Sequence, residues 1–119
     1  MGPGIYLDWS INNKIYKNKI SDNDEEGIHI TLFSKQNIIF NNTIELNNDD
    51  GIYISGDSNL NQIYHNNFFH NNNNARDINN NIWDNGKQGN YWDDYEEKYP
   101  DANRLWLEGI WDNPYNISG

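Results

Sequence analysis

The chain has no cysteine, and its one methionine is Met1. Disulfides and thiolate metal sites are therefore excluded. Basic residues are scarce: 8 Lys and Arg stand against 18 Asp and Glu in 119 residues, a formal net charge of −10. That balance argues against nucleic acid as a partner, because neutralising phosphates takes a basic footprint. No apolar run is long enough to span a membrane, and no signal-like stretch opens the chain. Met1-Gly2-Pro3 leads at once into a patterned segment, which suggests a truncated or recombinant start with the native address missing. Hydrophobic residues make up only 35% of the chain. So low a fraction points to disorder unless the apolar residues fall in columns.

They do fall in columns. Gly4-Ile5-Tyr6-Leu7, Gly27-Ile28-His29-Ile30 and Gly51-Ile52-Tyr53-Ile54 overlay, with glycine steps of 23 and 24. Ser10, Ser34 and Ser58 follow at a constant step of 24 (34 − 10 and 58 − 34). The same step joins Asn13, Asn37 and Asn61, then Ile15, Ile39 and Ile63, then Asn18, Asn42 and Asn66, then Ile20, Ile44 and Phe68. A fixed period in this range means a repeat protein whose units bury their apolar faces only by stacking on neighbours.

The unit is too short for two helices, and its apolar residues alternate, which reads as strand. Asn, Asp and Gly punctuate the strands as turn residues. About three short strands per unit predict a right-handed parallel β-helix of about three to four coils, with equivalent residues about 4.8 Å apart. The predicted inward set is Ile5, Leu7, Ile15, Ile20, Ile28, Ile30, Ile39, Ile44, Ile52, Ile54, Ile63 and Phe68. A leucine-rich repeat has a similar period, but its framework is leucine spaced for a strand plus a helix. The Asn18, Asn42 and Asn66 column is expected to stack as an amide ladder along the axis. The run Asn71-Asn72-Asn73-Asn74 is expected to be compositional drift.

The repeat fades after Asn74. A constant step would place Ala75 with Gly51 and Ile78 with Ile54, so a partial fourth coil is expected up to Trp83. This makes residues 1–119 one domain, with coils over 4–83 and a non-repeating, aromatic-rich C-terminal cap over 84–119. The cap carries Trp92, Trp106, Trp111, Tyr91, Tyr95, Tyr99 and Tyr115. Asp93 to Lys98, ahead of Pro100, is expected to form a short helix.

The coil pattern G-I-x-I/L … S-x-x-N-x-I-x-x-N-x-I resembles the β-helix repeats of NosD-like proteins. Asn81-Ile82-Trp83-Asp84-Asn85-Gly86, then Gly89-Asn90-Tyr91-Trp92-Asp93-Asp94-Tyr95, is similar to the terminal block of that family. Asp112-Asn113-Pro114-Tyr115-Asn116-Ile117 resembles its closing segment. The resemblance implies the β-helix fold, an extracellular or periplasmic location, a carbohydrate-binding type of scaffold and a copper-binding label. With few coils, the chain looks like the C-terminal end of a longer β-helix or a miniature of one. A scaffold of this kind hosts many functions.

Three groups of residues could carry chemistry. Glu25 and Glu26 align with Asp49 and Asp50, and stacked carboxylates are the hard-oxygen setting that Ca²⁺ prefers. The other reading is a solvated acidic turn. Tyr6, His29 and Tyr53 form one outward ring column, and Tyr16, Phe40 and Tyr64 form another. Exposed rings could stack on glycans, or they could stabilise the sheet by stacking on one another. Copper wants clustered His, Cys or Met. His29, His65 and His70 fall in different columns, so copper is not expected. Catalytic residues are not assigned, because no column sets an Asp pair beside an Arg or His.

These observations predict a non-catalytic β-helix domain with a structural or glycan-binding role. The alternatives are a fragment of a carbohydrate-active enzyme whose catalytic coils are missing, and a purely structural cap. Self-association through an open N-terminal coil is expected, since uncovered strand edges recruit other strands. Lys14, Lys17 and Lys19 on that coil oppose it.

Overall fold

The computed structural model describes residues 1–102 and 115–119. The first coil holds β1 (Ile5–Asp8), β2 (Lys14–Tyr16) and β3 (Lys19–Ser21). The second holds β4 (Ile28–Thr31), β5 (Ile38–Phe40) and β6 (Thr43–Glu45), and the third β7 (Asp50–Ile54), β8 (Gln62–Tyr64) and β9 (Asn67–Phe69). A fourth coil contributes β10 (Asn73–Asp77) and β11 (Tyr91–Trp92), followed by helix α1 (Tyr95–Lys98). Three parallel sheets result, ordered β1-β4-β7-β10, β2-β5-β8 and β3-β6-β9-β11. The chain is a parallel β-solenoid.

The register matches the 24-residue step. Ile15 lies beside Ile39 and Ile39 beside Ile63, while Ile28 lies beside Ile52 and Ile30 beside Ile54. All ten predicted inward residues from Ile15 onward are buried, and Ile5 and Leu7 pack partly buried against them. Single strands of two to five residues could not hold this shape alone. Each coil is stable because its isoleucines leave water only between two neighbours.

Each of the first three coils turns through three corners of one design. A non-glycine residue in left-handed backbone precedes a ladder asparagine. Asn12, Gln36 and Leu60 have φ of 62°, 58° and 61° ahead of Asn13, Asn37 and Asn61. Lys17, Asn41 and His65 (58°, 57°, 56°) precede Asn18, Asn42 and Asn66. Asp22, Leu46 and His70 (58°, 55°, 51°) precede Asn23, Asn47 and Asn71. Left-handed backbone costs an L-residue roughly 1–2 kcal/mol. The asparagine that follows offsets the cost by bonding both neighbouring coils.

The ladders are continuous. Asn37 donates its backbone N–H and its Nδ2 to Asn61 Oδ1 at 3.0 and 2.9 Å, and its Nδ2 also reaches back to the Ser10 carbonyl at 2.9 Å. Asn42 does the same with Asn66 Oδ1 and the Ile15 carbonyl. Asn47 does so with Asn71 Oδ1 and the Ile20 carbonyl. A serine column accompanies them: Ser34 Oγ accepts from Ser10 N–H, and Ser58 Oγ from Ser34 N–H. The glycine column answers to close approach. A Cβ on Gly27 would stand 2.7 Å from the Gly51 carbonyl oxygen, and one on Gly51 2.5 Å from that of Asn74.

Three expectations need correction in the fourth coil. First, Ala75 pairs with Ile52, and Asp77 with Ile54, a step of 23. Ile78 therefore misses the inward position and is 51% exposed. Asp77 sits beneath Ile54 instead, and its carboxylate accepts from Asn79 N–H, Asn81 Nδ2 and Trp83 Nε1. Second, the repeat does not stop at Trp83. Asn81 accepts from Asn61 after a step of 20, and Asn90 from Asn66 after 24. Trp92 then lies beside Phe68. The fourth coil loses four residues on one side and regains them in the 84–89 loop, which hides it from a constant-step overlay. Third, Asn71, Asn73 and Asn74 are not drift. Asn71 is the third rung of a ladder, Asn73 bonds Asp50 Oδ1 at 2.7 Å, and Asn74 bonds Asp93 and Asp94.

The C-terminal end is closed by rings. Trp92 stacks on Phe68 at 4.5 Å and on Tyr115 at 4.1 Å, with Trp83 at 5.9 Å. The short helix falls within the expected segment, and Tyr95 on it is buried. Ser118 returns to the coil, its hydroxyl bonding the Ala75 carbonyl and its carbonyl accepting from Asp77 N–H. Trp106, Trp111, Arg104 and the segment 112–114 lie outside the described residues. No helix of the described residues is long and apolar enough to cross a membrane.

Candidate functional site

The first ring column runs along the sheet β1-β4-β7. Tyr6 meets His29 edge-on at 5.4 Å, and His29 stacks on Tyr53 at 4.8 Å. Arg76 continues the column, its guanidinium 4.0 Å from the Tyr53 ring centre. The second column runs along β2-β5-β8. Tyr16, Phe40 and Tyr64 stack at 5.1 and 5.5 Å, with ring planes within 9° and 7°. Rings stacked this way spend their faces on one another. Each stacked pair adds about 0.5–1.5 kcal/mol beyond its buried area.

A third aromatic pair lies at a corner. Trp9 and Phe33 approach to 4.7 Å, and Trp9 is 65% exposed. The signal for it was the same step that aligned the serines, because Phe33 follows Trp9 by 24 residues.

The acidic corner is assembled in part as expected. Ligand oxygens of Glu26, Asp49 and Asp50 lie within 4.8 Å of one another. Glu25 is exposed and is not in this cluster. The residue missed in the sequence is Arg76. Its Nε and Nη2 donate to Asp50 Oδ2 at 3.0 and 2.8 Å, while Asn73 donates to the other oxygen. Burial works against the charge on Arg76, yet the hydrogen bond and charge of Asp50 hold its pKa above the ordinary value. The buried carboxylate of Asp50 is thus neutralised from within the fold, and a cation there would have to displace Arg76.

The histidines do not converge. His29 is stacked inside its column, with Nε2 at 3.1 Å from Ser55 Oγ. His65 and His70 sit on two different left-handed corners, and His70 Nδ1 lies 3.6 Å from Asp93 Oδ2.

A family model described as "Periplasmic copper-binding protein (NosD)" matches residues 1–97. The chain belongs to the NosD family. No curated protein and no solved structure matches it. The match spans all four coils of this NosD domain and ends within α1. Copper sites take imidazole, thiolate or thioether donors in a cluster. Among the described residues of this NosD domain, the group of three ligand-bearing side chains is all carboxylate, Glu26, Asp49 and Asp50. That donor set does not fit copper.

Proposed function

We propose that this chain is a structural, non-catalytic β-helix module of the periplasm, a stiff solenoid segment whose polar groups hold the coils together. The observation that supports this reading is how completely those groups are engaged with one another. No buried side-chain nitrogen or oxygen among the described residues lacks a partner. Corner amides bond along the axis, face rings stack on face rings, and the acidic corner is paired with Arg76. A substrate that engaged the buried corner amides or the Asp50 carboxylate would have to break these contacts. The periplasmic location follows the description of the family.

The test is a glycan array together with a reducing-sugar assay on the purified chain. The expected outcome is no glycan retained and no reducing ends released by a protein that melts cooperatively. A retained glycan whose binding is lost in Tyr16→Ala and Tyr64→Ala would overturn the structural reading. It would favour a second one, glycan binding along Tyr6, His29 and Tyr53 or along Tyr16, Phe40 and Tyr64. That reading draws support from the first-coil rings, since Tyr6 and Tyr16 are 52% and 48% exposed.

A further inference from the structure

The asparagine ladders have a direction, and it carries through the whole solenoid. At each rung, Oδ1 accepts from the coil before it. Asn37 Oδ1 takes Asn13 N–H and Nδ2 at 2.9 and 3.0 Å, and Asn42 Oδ1 takes those of Asn18 at 3.0 and 3.2 Å. Asn47 Oδ1 takes those of Asn23 at 3.2 and 2.8 Å. Every Oδ1 in these columns therefore points toward the N-terminal side. On the first coil, Asn13, Asn18 and Asn23 present this oxygen with no donor upon it among the described residues, and so does Ser10 with its Oγ acceptor side. Their amides, by contrast, are engaged, with the Ile11 and Tyr16 carbonyls or with the second coil. The same coil supplies β1, β2 and β3, one edge strand of each of the three sheets. Ile5 and Leu7 within it are only partly buried, whereas Ile28 and Ile30 in the second coil are fully buried.

We infer that this face is an interaction surface for one further β-solenoid coil of the same 24-residue design, stacked in the same direction, and that it rejects a second copy of itself. The donor–acceptor match decides between the two. A like coil brings a backbone N–H and an asparagine Nδ2 to each of the three oxygens, as the junctions between the first and second and between the second and third coils do. A two-fold, face-to-face contact brings acceptor against acceptor at the corners, because both copies expose the same oxygens. It also sets Lys14, Lys17 and Lys19 of both copies in one interface. Stacking a second copy in the same direction is blocked, since its C-terminal end is covered by Tyr115 and α1. The inference rests on the structural reading of the domain and names the partner that such a module takes.

The experiment replaces Met1-Gly2-Pro3 with a duplicate of residues 27–50, so that the copied coil runs directly into Gly4. Docking of the added coil raises the melting temperature by about 5 °C or more, and it slows amide exchange at Ile5, Ile15 and Ile20 at least about tenfold. A second fusion carries Asp at the copied positions of Asn37, Asn42 and Asn47, which removes each Nδ2 donor. Most of both gains is lost in it. The parent chain sediments as a monomer. Unchanged first-coil exchange in the first fusion would overturn the inference, as would equal gains in the Asp fusion. A parent dimer that protects the first-coil amides would do so even if the fusions fail to fold. The glycan array tests the structural role separately, so failure of one reading is distinguishable from failure of the other.

Discussion

Asn42 and Asn66 are joined by two hydrogen bonds onto one oxygen: the backbone N–H and the Nδ2 of Asn42 both donate to Asn66 Oδ1 at 3.0 Å. The same Nδ2 donates to the Ile15 and Phe40 carbonyls at 2.9 and 3.1 Å, and Asn18 bonds to Asn42 Oδ1 in turn. One side chain therefore ties three coils together.

Asn42→Ala removes that rung and strands buried donors and acceptors above and below it. A loss of about 1–3 kcal/mol is expected, at the upper end because several groups are left unpaired. Asn48→Ala, at an exposed corner, is expected to stay within about 0.5 kcal/mol of the parent. Urea denaturation of the two variants decides it, and equal midpoints would count against the ladder.

Ile39→Asp places an unpaired carboxylate between Ile15 and Ile63 at a fully buried position. Burying a charge without a partner costs several kcal/mol, comparable with the whole stability of a domain of this size. Far-ultraviolet circular dichroism should report an unfolded chain at neutral pH. A cooperative melt would show that this position tolerates water.

Arg76→Ala leaves the Asp50 carboxylate buried beside Glu26 and Asp49 with its counter-charge gone. Breaking a buried pair at one partner costs about 3–5 kcal/mol, and the exposure of Arg76 places the loss toward the lower end. With the guanidinium gone from Asp50 Oδ2, the carboxylates of Glu26, Asp49 and Asp50 then become a hard-donor set. Millimolar Ca²⁺ is expected to restore part of the lost melting temperature in the variant and to leave the parent unchanged. Differential scanning fluorimetry with and without Ca²⁺ measures both effects.

Trp92→Ala removes the ring held between Phe68 and Tyr115 and opens the C-terminal end of the core. Large-to-small changes at such sites cost about 3–5 kcal/mol. Tyr91→Ala, the exposed neighbour, should cost far less. The difference in denaturation midpoint between the two is the measurement.

The cap also sets an alkaline limit. Burial raises the Tyr115 phenol above its ordinary 10.0 against the pull of Lys98, which donates to its oxygen. Lys98 is itself raised above 10.5 by Tyr115 and Asp94, although burial works the other way. Both folded-state values lie above the unfolded ones. Their contribution is therefore complete below about pH 10 and is lost as the pH rises through the folded values. The melting temperature should hold to about pH 10 and then fall. Tyr115→Phe should flatten that fall, and an unchanged profile would remove Tyr115 from it.

The coil fold was legible in the sequence because a solenoid repeats its contacts. Ile15, Ile39 and Ile63 had to face one way once their neighbours did, and the 24-residue step carried Asn18, Asn42 and Asn66 with them. The step failed as a guide where the coil changed length. Ile78 stands at the arithmetical position of an inward residue, but the turn into the fourth coil is one residue shorter, and Asp77 takes the place instead. Asn90 and Trp92 keep the ladder and the core after a shortened and then lengthened loop, which no constant offset reveals. The candidate site divides in the same way. The ring columns and the acidic corner follow from the step, so they could be listed from the sequence. Arg76 could not, because its pairing with Asp50 depends on a one-residue slip between coils. Local pattern determined which residues face the core, since strand alternation and stacking act at every repeat. Only the tertiary structure decided which way the amide oxygens point and which charges meet, because hydrogen-bond direction and ion pairing depend on distances of a few tenths of an ångström between coils.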